Sequence, residues 1–380
     1  MNNHKRRDDA AMRILRAGGN PDELDKILQD ECRRKASKKL ATTLLCTEFR
    51  FPTSLSVEQC TSDALAEFHA SLINGGSRVV DLTCGLAIDA FHFAKKADEV
   101  LCIDIDPIVA DAVTHNSSVL KYKNVRVECA DCRQWLNDNS DTKFDVAFID
   151  PARRADDGSR LYSITQCRPD VAKLIPQIFR IAPRLIIKAS PMLDITKSIT
   201  ELPGIKVVHS VGTKSECKEL LFELERGYDG PVRIVADTIG GHSVDLTPGL
   251  LPESDYAVNV QVGDFVGEPW PAVMKCMPRG LLSGTQLHPD TFLWLNPRSS
   301  FPGNVYYVER VEAYSSSNMR RLAKEKIHAS VAVRNLPITA DQLRTKLKVQ
   351  ESSDIRLIAT TIYPKQQVLL FLSRNIKKNE

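Results

Sequence analysis

The chain has 380 residues, 43% apolar and 26% charged, with a net charge of +3, and at about 150 residues per domain this predicts two or three domains with ample core. No apolar run approaches the roughly 18–20 residues of a membrane span. The opening Met1-Asn2-Asn3-His4-Lys5-Arg6-Arg7-Asp8-Asp9 has no apolar segment behind its charges, so no secretory leader is expected.

Residues 8–48 have the pattern of helices. Pro21 stands at a helix start in Asn20-Pro21-Asp22-Glu23-Leu24, and Lys26, Arg33, Arg34, Lys35, Lys38 and Lys39 make a basic polar face. Pro52 and the Ser/Thr cluster within 51–62 mark a connection, followed by a helix that leads into the Asn74-Gly75-Gly76 turn.

The most informative stretch comes next. Val79-Val80-Asp81-Leu82-Thr83-Cys84-Gly85 and then Ile103-Asp104-Ile105-Asp106-Pro107 predict a strand, a tight turn and helix, and a second strand ending in an acid. An acid at that tip can accept hydrogen bonds from both ribose hydroxyls of an adenosine-bearing cofactor. A pyrophosphate needs G-x-G-x-x-G, but Cys84-Gly85-Leu86-Ala87-Ile88-Asp89 has one glycine and an acid at the helix start. Asp89 would repel a pyrophosphate and suits a cofactor with a cationic end, which points to S-adenosyl-L-methionine.

Two further strands continue the pattern. Residues 124–131 (NVRVECAD) end at Asp131, placed to accept from an adenine amino group, and 143–154 (KFDVAFIDPARR) form an apolar strand that stops at Asp150-Pro151. Ligands of such sheets bind beyond the carboxyl ends of the strands, where Asp81, Asp104, Asp131 and Asp150 would converge. Each acid alone is equally readable as a helix cap; four at successive strand ends are harder to explain so. Cys129-Ala130-Asp131-Cys132 has the spacing of half a zinc site, but no partner motif exists, and no metal is expected. Ten cysteines, several in apolar strands, fit reduced core residues of a cytoplasmic protein.

Together these motifs resemble the class I S-adenosylmethionine-dependent methyltransferases over residues 54–225, and within them the RNA guanine-N2 and trimethylguanosine-synthase-like branch. Residues 79–94 (VVDLTCGLAIDAFHFA) are similar to that branch's D-x-F-C-G-x-G-G-N-x-I-x-F-A, and 102–107 to its G-I-D-I-D-P. Asp150-Pro151-Ala152-Arg153 stands in place of its D-P-P-W or N-P-P-Y. The resemblance implies that Asp81, Cys84 and Gly85 hold the methionine end, Asp104 the ribose and Asp131 the adenine. It also implies that Asp150 and the Pro151 carbonyl orient an acceptor amine. Ala87 replaces a second glycine, and Ala152-Arg153 replaces proline-aromatic. Arg153 would stack on a base or grip a phosphate in place of the missing ring, with Arg154 and Tyr162 as further substrate contacts. The segment 51–62 resembles a stretch that closes the cofactor site in these enzymes, which implies roles for Thr61 and Ser62.

Strands are predicted at 184–188, 205–209 and 219–224, and the resemblance implies that the last runs antiparallel and completes a seven-stranded sheet. Residues 226–304 contain the turn pairs Gly240-Gly241, Pro248-Gly249 and Pro302-Gly303, a helix over 270–274, and Trp270 and Trp294, which fit core anchors better than base-stacking platforms. The last 75 residues alternate strand, basic helix (318–327), strand, helix (339–347) and two strands. In order and charge this tail is similar to a ferredoxin-like or THUMP-like domain, an RNA-binding attachment, and Arg320, Arg321 and Lys324 are its expected phosphate contacts. Residues 1–50 carry 12 Lys/Arg against 8 Asp/Glu and residues 306–380 carry 14 against 7, so the body between them is acidic. Basic ends are suited to a polyanion, although they are equally readable as solvated surface.

The expected architecture is therefore α/β. An N-terminal helical region (1–53) precedes a Rossmann-like seven-stranded methyltransferase domain (54–225), a mixed α/β segment (226–304) and a THUMP-like α+β domain (305–380). The expected activity is methylation of a purine nitrogen in RNA, tRNA or rRNA. The alternatives are a protein or small-molecule methyltransferase and a non-catalytic RNA-binding scaffold.

Overall fold

The computed structural model describes residues 20–152, 163–247, 255–257, 259–276, 282 and 284–374. The chain divides into two compact units, Met1–Val208 with Leu220–Pro231, and His209–Glu219 with Val232–Glu380.

The first helix, α1 (Pro21–Ala36), starts where its sequence directs. Asn20 accepts from the Asp22 N–H, Pro21 opens the first turn, and acids at the start and bases at the end complement the helix dipole. The helical stretch expected to reach residue 48 stops at Ala36, with only a 3-10 turn at Thr43–Leu45 beyond it. Asp63 is the reason: its carboxylate accepts the N–H groups of Thr42 (2.7 Å) and Thr43 (3.0 Å), donors a helix would otherwise use. The early part of that stretch, to residue 19, lies outside the described residues.

The first unit is built on parallel strands β1 (Arg78–Asp81), β2 (Glu99–Asp104), β3 (Val125–Cys129), β4 (Val146–Ile149) and β5 (Arg184–Ala189). Helices α2 (Ser54–Gln59) and α3 (Asp63–Ser71) precede the sheet. The crossover helices are α4 (Ile88–Phe93), α5 (Pro107–Val119), α6 (Cys132–Asp138), α7 (Val171–Ile181) and α8 (Ile195–Glu201). β1, β4 and β5 are nearly continuous apolar runs because both faces of a parallel sheet are covered. β6 (Ile205–Gly212) and β7 (Cys217–Glu225) follow, and β7 pairs antiparallel with β5, as expected.

The strand order is β3-β2-β1-β4-β5-β7-β6-β8-β9, with β8 (Arg233–Thr238) and β9 (Ser243–Asp245) adding two strands to the expected seven. β6 is eight residues long and would otherwise leave a bare edge. The order reverses between β1 and β4, and that switch point is where open α/β sheets bind ligands.

The second unit contains an eight-stranded sheet that begins with β10 (Asp255–Tyr256), β11 (Phe265–Pro269), β12 (Thr285–Gln286) and β13 (Trp294–Leu295) and has the order β10-β12-β13-β11-β14-β17-β16-β15. Its C-terminal part runs β14 (Gly303–Ala313), α10 (Ser316–Leu322), β15 (Ser330–Val333), α11 (Ala340–Leu347), β16 (Ile355–Ile362) and β17 (Gln366–Ser373). Successive residues serve opposite faces. Leu357, Leu369 and Phe371 pack with Leu322, Leu343 and Leu347, while Ile358, Leu370 and Leu372 pack with Val266 and Val308. Thr339 forms a capping box with Gln342. The basic helix expected over 318–327 ends early, at Leu322, because Ile327 turns into the core and its carbonyl accepts the Gln350 N–H. The short helix α9 occupies Pro271–Cys276 as expected, and Trp270 and Trp294 are buried core residues.

Candidate active site

The turn after β1 is tied to β2 by a backbone bond and to the end of β1 by a side-chain bond. The Cys84 N–H donates to the Ile103 carbonyl (3.0 Å), and the Thr83 N–H donates to Asp81 Oδ1 (3.2 Å). Gly85 has φ +51°, and a Cβ placed on it would meet nothing within 4 Å. The backbone there faces open space, a cradle that any side chain would fill. The Gly85 N–H donates to Asp104 Oδ2 (2.9 Å), while Asp104 Oδ1 accepts from the Asp106 N–H (3.0 Å). Asp106 caps α5 ahead of Pro107, which leaves Asp104 at the strand tip for another purpose. Ala87, where the resembled motif has glycine, holds the left-handed conformation at φ +59°.

Asp131 takes the role of a cap. It accepts from the Arg133 N–H (2.8 Å), opening α6, and its carboxylate also pairs with the Arg133 guanidinium, chiefly through a side-chain hydrogen bond that holds it below the usual carboxylate range. Cys129 is exposed and Cys132 buried, and burial pushes the Cys132 thiol up to about 11. Among the described residues no group of three or more His, Cys, Asp or Glu side chains could hold a metal ion.

At the end of β4 the structure brings together residues far apart in sequence. The Asp150 N–H donates to Thr83 Oγ1 (2.8 Å), and Asp150 Oδ2 accepts from Lys188 Nζ (2.5 Å) at the end of β5. Lys188 also donates to Thr61 Oγ1 (2.8 Å). Thr61 in turn donates to Asp89 Oδ2 (2.5 Å), whose Oδ1 accepts from His69 Nδ1 (2.7 Å). Asp89, expected to face a cationic ligand, instead lies beneath the site, because His69, Thr61 and Lys188 already answer its charge. Burial alone would raise its pKa, but His69 and Lys188 outweigh it and hold the carboxyl well below the ordinary range. Asp81 moves the other way: burial first, then the charge of Asp89, push it well above its usual value. The Cys84 thiol is held protonated by its hydrogen bond to Cys102 and by burial.

His69, Lys188 and Thr83 carried no role in the sequence reading. Lys188 had a visible signal, a charge closing the buried run 184–189, since a buried charge requires a partner. His69 had none, because its partner lies 20 residues away. Ser62 caps α3 through the Leu65 N–H.

The other expected substrate residues are placed as follows. Pro151 follows Asp150 and is buried, whereas Arg153, Arg154 and Tyr162 lie outside the described residues. Arg320, Arg321 and Lys324 are exposed on or just after α10 of the second unit. Arg321 is engaged internally, pairing with Glu312 (2.7 Å) and Glu325 (3.0 Å) beside Arg310.

The site is thus rich in carboxylates, and its one described ammonium, Lys188, is bound to Asp150. Such a donor set fits a cationic ligand without phosphates, and the open cradle at Gly85 leaves room for it.

Residues 303–374 match a family model described as THUMP domain-like. No curated protein matches the chain. The chain is similar to a candidate methyltransferase of known crystal structure from Porphyromonas gingivalis W83, with 25% identity and a TM-score of 0.81 over 92% of this chain and 90% of that one. Two smaller overlaps are too limited to bear on the assignment. SMU.776, a candidate methyltransferase complexed with SAH, overlaps 42% of this chain and 48% of its own, with 11% identity and a TM-score of 0.34. An rRNA methylase from Streptococcus thermophilus overlaps 42% of this chain and 94% of its own, with 17% identity and a TM-score of 0.32. The architecture is therefore a methyltransferase-type α/β sheet joined to a THUMP-like segment.

Proposed function

We propose that the chain is an S-adenosylmethionine-dependent methyltransferase acting on RNA, at a purine nitrogen. One observation carries this: Asp81, Asp104, Asp131 and Asp150 stand at the carboxyl ends of β1, β2, β3 and β4, neighbours in the sheet, and the backbone at Gly85, bonded to Asp104, faces open space. Asp104 would hold the ribose, Asp131 the adenine once Arg133 yields one oxygen, and the Asp81–Gly85 turn the methionine end. The cofactor supplies a methyl group already activated on a sulfonium, so the protein's task is to position the acceptor. Asp150 and the Pro151 carbonyl accept hydrogens from an acceptor amine and leave its lone pair exposed. The THUMP-like segment and the basic residues of 306–380 support RNA as the polyanion that carries the acceptor.

The test is transfer of labelled methyl from S-adenosylmethionine to the RNA, protein and small-molecule fractions of cells lacking the gene. Label in a discrete RNA supports the proposal, and Asp150→Ala abolishes it while cofactor binding stays nearly intact. Label confined to protein or small molecules reassigns the acceptor. No label and no cofactor binding returns the chain to a non-catalytic scaffold.

A further inference from the structure

We propose that Lys188 is the positioning residue of the acceptor site, acting through Asp150 and held in place by a buried chain that includes Thr61, Asp89 and His69. This rests on the methyltransferase reading of the same site. Asp150 is fixed at both ends: Thr83 takes its N–H at 2.8 Å, and Lys188 takes Oδ2 at 2.5 Å. A carboxylate half exposed at a strand tip would otherwise sample several rotamers. With Oδ2 held, the second oxygen has one direction in which to meet an acceptor N–H.

The ammonium is fixed just as firmly. Hydrogen-bond polarity sets the order of the chain, because Asp89 can only accept. Its two oxygens therefore take the Nδ1–H of His69 and the hydroxyl hydrogen of Thr61, which leaves the Thr61 oxygen to accept from Lys188. Lys188 cannot rotate without leaving that lone pair unanswered and withdrawing its charge from the nearby Asp89 (4.0 Å) in a buried setting. A lysine normally pays rotamer entropy to hold one geometry; here the fold has already ordered it. The residues involved come from the approach to α3, from α3 and α4, and from the strand tips of β4 and β5, so the acceptor site is braced by segments distant in sequence.

A group that acts only through another gives a characteristic kinetic result. Misplacing a reacting group by about 1 Å costs on the order of 100-fold in rate, so Lys188→Met should lower kcat by about 10- to 100-fold. The KM for RNA and the Kd for S-adenosylhomocysteine should stay within about threefold, because neither is held by Lys188. Lys188→Arg, which can still reach Thr61 and Asp150, should recover part of the rate and keeps the test valid if the methionine variant folds poorly. The deciding comparison is the double variant Lys188→Met/Asp150→Asn. Action through Asp150 makes it no slower than the slower single variant, within about twofold.

The experiment uses the full chain, labelled S-adenosylmethionine, and whichever fraction of cells lacking the gene takes label, with S-adenosylhomocysteine binding followed by calorimetry. A kcat within about threefold of wild type in Lys188→Met, or losses that multiply in the double variant, overturns the assignment. A wild-type chain that fails to bind S-adenosylhomocysteine, or to label any fraction, refutes the methyltransferase reading itself and this inference with it.

Discussion

Replacing Asp89 by asparagine tests whether the network beneath the site is as tightly coupled as its distances imply. Asp89 is 8% exposed, and its carboxylate accepts from His69 at 2.7 Å and Thr61 at 2.5 Å, with Lys188 at 4.0 Å. Asparagine keeps the volume but offers one acceptor oxygen and turns its amide toward a second donor. Removing one partner of a buried pair costs about 3–5 kcal/mol, and the hydrogen bond that asparagine retains returns about 1 kcal/mol. The expected loss is therefore about 2–4 kcal/mol, which speeds exchange of protected amides in β1 and α3 by roughly 100-fold near the middle of that range. Hydrogen exchange with mass spectrometry on peptides from 63–93 reads this directly. The pH dependence follows from the lowered pKa of Asp89. A carboxyl depressed in the folded state stabilises fully above its unfolded pKa, about 3.9, and loses that contribution as the pH falls toward the folded value. Wild type should thus exceed the variant by a constant margin near neutrality, and the margin should shrink in urea melts below about pH 4. A difference under about threefold in exchange at neutral pH, or a margin that persists in acid, would refute the coupling.

Four further outcomes are expected. Gly85→Ala places a Cβ in the open cradle at φ +51°, costing about 1–2 kcal/mol in left-handed strain and lowering S-adenosylhomocysteine affinity by more than about tenfold in calorimetry; unchanged affinity would remove the turn from the site. Ala87→Gly relieves the strain at φ +59° and, after the entropy glycine adds to the unfolded chain, should stabilise by about 0.5–1 kcal/mol in thermal melts. Asp81 has its pKa raised by burial and by Asp89, so it stays protonated to a higher pH and cannot pair with an ammonium there. Affinity for S-adenosylmethionine should rise with pH as Asp81 ionises, and Asp81→Asn should flatten that rise. The sign for stability is opposite: this contribution is present at low pH and is lost as the pH rises through the folded pKa. In the second unit, Glu268 is 4% exposed and holds both Arg334 (2.9 Å) and Arg356 (2.8 Å). Glu268→Gln removes the carboxylate that both guanidinium groups share and should cost about 3–5 kcal/mol, read as a lower melting temperature.

Much of the fold was legible because its signals are local. Apolar runs closed by acids marked β1, β2 and β4, and the alternation of strand and helix after residue 303 reproduced β14, α10, β15, α11, β16 and β17 in order. Caps and turns sharpened the boundaries at Asn20-Pro21, Asp106-Pro107 and Thr339. The misjudged ends share one cause, a tertiary contact that local pattern does not contain. Asp63 captures Thr42 and Thr43 and ends the N-terminal helical stretch early, and the link between Ile327 and Gln350 shortens α10. The two extra strands, β8 and β9, arise in the same way, since an open edge is a property of the assembled sheet.

The candidate site divides along the same line. Residue type and position along the chain determined which acids close the parallel strands and that Gly85 must be the tight point of the turn, and they pointed to a cationic partner without phosphate. Only the tertiary structure decided what each carboxylate does. Asp106 and Asp131 cap helices while Asp104 bonds the glycine turn, and Asp89 is buried rather than presented. Lys188 reaches across from β5 to hold Asp150. The physical reason is that charge and hydrogen-bonding capacity belong to a residue, whereas the partner that uses them is set by the packing of segments distant in sequence. Thr61, His69, Asp89, Asp150 and Lys188 are separated by up to 127 positions and meet only when the sheet and its helices close.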